Sequence, residues 1–233
     1  MSRTIKFLSL IFVVWFISCQ QESDSDPLTP DSVFEQDQFQ DVDAKSTAKQ
    51  TVVIFDVVNG VLAGTSTLHR NNNGITANFK ATGLIPGHAY TVWWVIWNNP
   101  EECEGGVGAC GSDADFIENA DAIKIEIMYA TGHVAGNSGT GNFGAHLNEN
   151  DDSGSINDLQ FLPAYGGLLD SQKAEVHLVL RSHGPAVPGI VNEQIGSYLG
   201  GCPTDFPYGF VFTEIPDEVG ECGDIYASIH PPE

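Results

Sequence analysis

The chain has 233 residues, of which 42% are hydrophobic, so it is long enough to bury a substantial core in one domain or two. It carries 31 acidic and 9 basic residues, a formal net charge of −22. Nucleic-acid binding depends largely on Lys and Arg at the phosphates, so this charge balance excludes nucleic acid as an expected partner. The 25 glycines and 12 prolines favour short strands and turns over long helices.

Residues 1–18 have the organisation of a signal peptide. Two basic residues, Arg3 and Lys6, precede an almost wholly apolar run over 7–17. A helix of that length covers about 16 Å, whereas the hydrocarbon core of a bilayer is about 30 Å thick. The sequence therefore predicts a cleaved leader and not a membrane span.

The leader ends in Phe16, Ile17, Ser18 and Cys19, which resemble the lipobox of bacterial lipoproteins. The small Ser18 directly before the cysteine fits that pattern, and Phe16 departs from it because leucine is usual there. The resemblance implies that Cys19 is lipidated, becomes the mature N-terminus and anchors the protein in the bacterial cell envelope, in the outer membrane. The alternative is an ordinary secreted protein with an unpaired cysteine.

Residues 19–50 form a polar stretch dominated by Asp, Glu, Gln and Ser. It has too few large apolar side chains to offset the entropy of ordering, so it predicts a flexible acidic tether behind Cys19. Its start, QQESDSD, resembles the acidic signal of surface-exposed lipoproteins in some Gram-negative bacteria. That resemblance implies outward display, and a plain solvated linker is the alternative.

Residues 51–233 predict strands joined by turns. The strongest signal is 83–99, where a Gly-x-x-Pro-Gly turn precedes about ten residues that are apolar on both faces, as in the interior of a sheet. Asn73 and Gly74 supply a hairpin turn. The predicted strands are 51–58, 61–70, 75–82, 88–97, 123–131, 141–147 and 174–181, with either 210–213 or 225–229 as the last. At most one short helix is predicted, in 188–200.

Strands without intervening helices predict an all-β fold, an antiparallel β-sandwich of about eight strands. The segments AYTVWWVIWNNPEEC and EVHLVLRSHGPAVPG, with a later GGC, resemble an uncharacterised family of secreted bacterial β-rich proteins. The resemblance covers roughly 51–230. It implies an extracytoplasmic β-rich domain and implies no particular activity.

Four cysteines, Cys103, Cys110, Cys202 and Cys222, lie in Gly-rich stretches of this domain. Four cysteines allow three pairings. We predict the disulfides Cys103–Cys110 and Cys202–Cys222 because each pair closes a local loop. Disulfides imply an oxidising compartment, and the alternative of a zinc site lacks the C-x-x-C spacing.

The strand over 174–181 and its continuation carry the best candidates for a functional site. Glu175, His177, Arg181 and His183 alternate with apolar or small residues, so one face is core and the other carries titratable groups. The two histidines lie about 20 Å apart along an extended strand, too far to bind one ion. The four side chains are the candidates for catalysis, and the alternative is a polar sheet face with His183 at a turn.

Two oxygen-rich stretches are candidates for calcium ligands. They contain Asn148, Asn150, Asp151 and Asp152 in one loop and Asp113 and Asp115 in another. The first stretch fails the EF-hand spacing, and both are also typical of solvated turns in an acidic protein. We expect no cofactor, with calcium as the alternative.

Three further patterns favour structural roles. Residues 139–144, GTGNFG, match G-x-G-x-x-G without a helical stripe after them and predict a hairpin turn instead of a nucleotide site. Residues 136–140 miss the G-x-S-x-G elbow at its last position. Trp93, Trp94 and Trp97 lie in a dense apolar setting that favours core packing over a sugar-stacking platform.

The sequence as a whole predicts a cell-envelope lipoprotein whose β-sandwich is a non-catalytic binding or structural module. Its expected partners are the membrane, through the lipid on Cys19, and an envelope or extracellular ligand that the sequence does not identify. Two alternatives stay open. One is a secreted hydrolase of polysaccharide or peptide, and the other is a calcium-stabilised, adhesin-like module.

Overall fold

The computed structural model describes residues 47–157, 162–198 and 223–232. These contain eight strands: β1 (Ala48–Asp56), β2 (Leu62–Asn71), β3 (Gly74–Thr82), β4 (His88–Trp97), β5 (Ile125–Val134), β6 (Thr140–Asn148), β7 (Glu175–Pro185) and β8 (Gly223–His230). Each strand overlaps a predicted one, so the all-β prediction is confirmed. The last strand is the 225–229 alternative, and the 210–213 alternative lies outside the described residues.

All eight strands belong to one antiparallel sheet in the order β5-β4-β7-β8-β1-β2-β3-β6. The sheet is nearly closed, because its end strands β5 and β6 pack together and the ring of His133 stacks on that of Phe143 at 4.1 Å. The predicted sandwich would consist of two stacked sheets, whereas in the structure a single sheet curves around the core. Register shifts in β1, β4 and β7 supply the local bending that such curvature needs. We call this body the barrel.

The inward positions of the strands form the main apolar core. The alternation is clearest in β3, where Ile75, Ala77, Phe79 and Ala81 are buried and the residues between them point outward. This period of two is what a half-buried strand requires. The alternating pattern therefore decides which face of each strand lines the barrel.

Strands β4 and β7 are buried on both faces. On the outer face, Trp97 packs in a second apolar cluster with Cys103, Cys110 and Ile123. Trp93 and Trp97, on the outside, and Trp94, inside, are at most 2% exposed, which confirms the prediction that they serve as core. A layer of loops and short helices thus covers the outside of the barrel at β4 and β7.

That layer contains a 3₁₀ turn, Pro100–Glu102, and the helices α1 (Asp113–Ile117), α2 (Ala120–Ile123) and α3 (Val191–Gly196). Only α3 lies where the sequence predicted a short helix. The other two are single turns, too short to show a helical period. Among the described residues, no helix is both long and apolar enough to cross a membrane.

Candidate functional site

The four titratable side chains of β7 lie in a row on its outer face, beneath the covering layer. Glu175, Arg181 and His183 are fully buried, and His177 is 7% exposed. The polar face that the alternation indicates is therefore a covered one, because segments distant in sequence pack over it. Buried charged groups need partners, so the partners of this row define what it does.

Glu175 is bonded to the loop that precedes α1. Its carboxylate accepts hydrogen bonds from the backbone N–H groups of Gly108 and Cys110, the second at 3.3 Å. Its Oε1 also lies 2.7 Å from Nε2 of His177. The carboxylate thereby holds the 103–110 loop onto the barrel wall.

The same loop is closed covalently. Cys103 and Cys110 form a disulfide with their Cα atoms 5.2 Å apart, which confirms this predicted pair. Both cysteines are buried in the second apolar cluster. The predicted Cys202–Cys222 pair and the lipidated Cys19 lie outside the described residues.

Asp115 anchors the other end of this loop. Its carboxylate accepts hydrogen bonds from the backbone N–H groups of Glu104 (2.7 Å), Gly111 (2.8 Å) and Ser112 (3.0 Å). Burial raises the pKa of the carboxyl, but these hydrogen bonds outweigh burial and hold the pKa below its usual value. Asp115 is thus a buried anchor and helix cap, whereas its predicted partner as a calcium ligand, Asp113, is exposed.

A carboxylate next to a histidine is an arrangement that general acid–base catalysis uses. Here the imidazole of His177 also packs against the ring of Trp97, with centroids 5.4 Å apart. Both oxygens of Glu175 accept hydrogen bonds from protein groups, and the pair lies under the loop. A general base must reach its substrate, so this geometry favours loop anchoring over catalysis.

The other two members of the row contact different segments. The guanidinium of Arg181 bonds to Asp224 at 2.7 Å and lies 4.2 Å from the ring centroid of Tyr198. His183 Nε2 is 2.9 Å from Oγ1 of Thr91. Arg181 thus joins β7 to β8 and to the residues that follow α3, and His183 joins β7 to β4, so the four catalytic candidates contact different segments.

The calcium candidates at the end of β6 and in the connection that follows form hydrogen bonds with residues close by in the chain. Asp151 accepts hydrogen bonds from the N–H and the hydroxyl of Ser153, and these lower the pKa of its carboxyl. The Oδ1 of Asn148 lies 3.1 Å from Nε2 of His146. Within the part of the chain that the structure describes, no group of three or more His, Cys, Asp or Glu side chains is placed to hold a metal ion.

The two glycine motifs have the local structure of turns and strands. Gly139, with φ of 62°, lies in the β5–β6 turn, and Gly141 and Gly144 lie within β6. The hydroxyls of Ser138 and Thr140 bond to each other at 2.7 Å in that turn. Because a strand and not a helix follows, no helix N-terminus is available here for a phosphate.

Sequence reasoning missed two buried charged anchors inside the barrel. Arg70 donates from Nη1 to the carbonyls of Ser171 (2.6 Å) and Ala174 (2.9 Å) and from Nη2 to that of His230 (2.9 Å). It thereby joins β2 to the segment before β7 and to the end of β8. Strand alternation could have revealed it: Arg70 lies two positions after the buried Leu68, so both side chains point to the same face of β2.

Glu126 is the second missed anchor. It is fully buried and accepts hydrogen bonds from the Ser155 hydroxyl (2.5 Å) and from the N–H groups of Tyr165 (3.0 Å) and Gly167 (3.1 Å). It lies two positions before the buried Met128, so both side chains point to the same face of β5. Glu126, like Glu175 and Asp115, uses a buried carboxylate to hold backbone N–H groups of a long connection.

No family model, curated protein or solved structure matches this chain. The function therefore has to be argued from the residues themselves.

Proposed function

We propose that this protein is a cell-envelope lipoprotein whose extracytoplasmic barrel is a non-catalytic binding or structural module. The observation that carries the proposal is the Cys103–Cys110 disulfide, which closes the loop held by Glu175. Disulfides persist in oxidising compartments and are rare in the cytosol. A loop built around a disulfide supports a site of action outside the cytoplasm.

The non-catalytic role is supported by the hydrogen bonds that the titratable side chains on the outer face of β7 form with other parts of the protein. Glu175 and His177 bond to each other and to the 103–110 loop, and Arg181 bonds to Asp224. Side chains bonded to neighbouring segments in this way are suited to stabilising the barrel. The outer surface of the barrel is then the part that meets a partner.

The anchor in this proposal is the lipid on Cys19, in the outer membrane. If the stretch between the anchor and residue 47 is the flexible tether that its composition predicts, its end-to-end distance is about 30 Å. Such a tether would let the barrel turn relative to the membrane. It supports a role in which an exposed barrel face contacts material at the cell surface.

Metabolic labelling with a fatty-acid analogue in a Gram-negative host tests the proposal. The wild-type protein is expected to take up the label and to stay with the membrane fraction after an alkaline wash. The Cys19→Ala variant is expected to lose both properties, because acylation of that sulfur is the anchor. As the control, the Cys103→Ser/Cys110→Ser variant keeps the label, whereas a wild-type protein with Met1 still attached and no label would overturn the proposal.

A further inference from the structure

The outward side of β1, β2, β3 and β6 is an exposed sheet face, which we call the threonine face. It is polar except near the β1–β2 turn, where Val53 and Leu62 are more than half exposed. Five threonines are exposed at its outward positions: Thr51, Thr65, Thr76, Thr82 and Thr140. Some of these hydroxyls are held by neighbours, since Thr51 bonds to Thr67 at 3.0 Å and Thr76 bonds to His146 at 2.8 Å. The face therefore presents ordered hydrogen-bonding groups to solvent.

Strand register arranges these groups in rows across the four strands. Lys49 lies opposite His69, His69 opposite Thr76, and Thr76 opposite His146. Neighbouring strands lie about 4.8 Å apart, so one such row extends about 14 Å. The next row along the strands begins at Thr51, two residues further on. The result is a regular polar lattice, wide enough to contact several units of an extended polymer.

The threonine face differs in charge from the rest of the molecule. Its four strands contain a single acidic residue, Asp56, in a chain that has 31. The carboxylate of Asp56 accepts hydrogen bonds from Val58 and Asn59 at the β1–β2 turn. Two exposed lysines, Lys49 and Lys80, lie on the face itself. Among the described residues, the four strands of this face thus contain one carboxylate, that of the half-buried Asp56 at the edge, and two exposed ammonium groups.

We infer that the threonine face binds an anionic polysaccharide, an inference that rests on the proposed function as a binding module. Hydroxyl and amide side chains match the hydroxyls of sugar rings, and the two ammonium groups match carboxylates along the polymer. The outward positions of these four strands carry no exposed Phe, Tyr or Trp, and Phe55 is half-buried. Stacking is therefore absent, and charge has to supply the affinity that a neutral glycan would lack.

An acidic polypeptide fits this face less well. Its side chains bring carboxylates but no ring hydroxyls to meet the rows of threonines, and neither ligand finds an arginine here for planar bidentate bonding. The one arginine of the four strands, Arg70, points into the core. Ammonium groups act as point charges without that geometric demand. Lys49 and Lys80 lie two strands and four residues apart, about 16 Å, so they suit carboxylates several sugar rings apart on one chain.

The net charge of −22 gives this binding an unusual salt dependence. At about 0.15 M salt the Debye length is about 8 Å, so carboxylates on the far side of the barrel are screened and the local lysines dominate. At about 0.01 M it is about 30 Å, so the whole molecule repels the polymer. At about 1 M the lysines are screened as well. Binding is strongest at intermediate salt.

The experiment measures binding of soluble alginate, a polyuronate, to the full chain by calorimetry across this salt series. The variant Lys49→Glu/Lys80→Glu reverses both charges at exposed positions, and Lys124→Glu/Lys173→Glu is the control with the same net charge. We expect the first to weaken alginate binding about tenfold or more and the second to change it less than about twofold. Neutral dextran is expected not to bind, and polyglutamate to bind more weakly than alginate.

The other outcomes overturn either the inference or the proposed function. Equal losses in the two double variants would show that only net charge matters, and polyglutamate binding as tightly as alginate would identify an acidic polypeptide as the partner. If alginate does not bind while Cys19 is labelled, the polysaccharide inference fails and the proposed function stands. If size-exclusion chromatography shows that the alginate chains shorten, the protein is an enzyme and the proposed non-catalytic function fails.

Discussion

His230, at the end of β8, is a histidine that the fold keeps neutral. It is fully buried, with Nε2 2.8 Å from the hydroxyl of Ser66 and Nδ1 3.1 Å from Oε1 of Gln50. Burial lowers its pKa to about 3, and the electrostatic interactions with Arg70 and His177 act in the same direction. Protonation in the folded state is therefore strongly disfavoured.

This pKa predicts that mild acid destabilises the barrel. In the unfolded chain a histidine has a pKa of about 6.5, so the unfolded state takes up the proton first. The stabilisation is complete above pH of about 6.5 and is lost as pH falls towards about 3, by up to about 1.4 kcal/mol per unit. Urea unfolding at a pH of about 6.5 and of about 5.5, a window that ends about one unit above the titration of ordinary carboxylates, measures it.

The variant His230→Gln, which cannot take up that proton, is expected to lose a large part of the slope in this window, and His133, whose pKa burial also lowers, accounts for part of the remainder. His69→Gln, at an exposed position of β2, is the matched control and is expected to keep the wild-type slope. An unchanged slope in His230→Gln would contradict the assignment to His230 even if the variant is less stable at every pH. The comparison separates the titration from the loss of packing.

At the scale of elements, the covering layer is held to the barrel by a covalent link and a buried carboxylate acting together. The disulfide Cys103–Cys110 shapes the loop, and Glu175 accepts hydrogen bonds from two of its N–H groups. We expect each to depend on the other, because an open loop would no longer orient these amides towards Glu175. Residues in one network of this kind have non-additive effects on stability.

A double-mutant cycle tests this dependence. Cys103→Ser/Cys110→Ser is expected to lower the free energy of unfolding by about 2–3 kcal/mol, from loop closure. Glu175→Ala leaves buried donors without a partner and is expected to cost about 3–5 kcal/mol. Because an open loop no longer needs Glu175, the combined loss should fall short of the sum by about 1 kcal/mol or more. Urea denaturation of the four proteins gives the coupling.

Glu118→Ala provides the control for that cycle. Glu118 is exposed at the end of α1, close in sequence to the same loop. Its substitution is expected to change stability by less than about 0.5 kcal/mol and to add independently to the cysteine variant. Full additivity for Glu175→Ala would show that the loop and the carboxylate stabilise the barrel separately.

The same elements show what the sequence could predict. The turn before β4 and the hairpin at Gly74 mark strand limits locally, and β4 begins and ends where predicted, at His88–Trp97. The alternation in β7 correctly placed Glu175 and His177 on one face. It could not show that this face is buried, because the loop that covers it lies more than sixty residues earlier in the chain. A titratable residue pointing to water and one pointing under a loop have the same sequence pattern.

At the scale of the whole molecule, the barrel closes through pairings between distant parts of the chain. The last strand, β8, lies between β7 and the first strand, β1. Phe55 faces Ala227 in that pairing, and no local feature of either strand specifies the partner. The eight strands follow from local alternation and turns, whereas their arrangement into a single nearly closed sheet depends on these long-range contacts.

The charge of the whole molecule predicts how its stability responds to salt. The chain has 31 acidic and 9 basic residues, so its negative charges repel one another more strongly in the compact folded state than in the expanded unfolded chain. Screening relieves that repulsion, so raising NaCl from about 0.01 to about 0.2 M should raise Tm by a few degrees, since about 1 kcal/mol corresponds to about 2–4 °C at this size.

The identity of the cation distinguishes screening from a specific site. Choline chloride should raise Tm as much as NaCl, and CaCl₂ no more than MgCl₂ at equal ionic strength, because screening depends on ionic strength alone. A larger rise with calcium, abolished by chelator and by Asp151→Asn, would contradict this prediction. It would mean that the 148–152 turn rearranges from its self-bonded form to bind the ion, since a ligand of the native state stabilises it by mass action. A fall in Tm with NaCl would show that favourable charge pairs outweigh the self-repulsion.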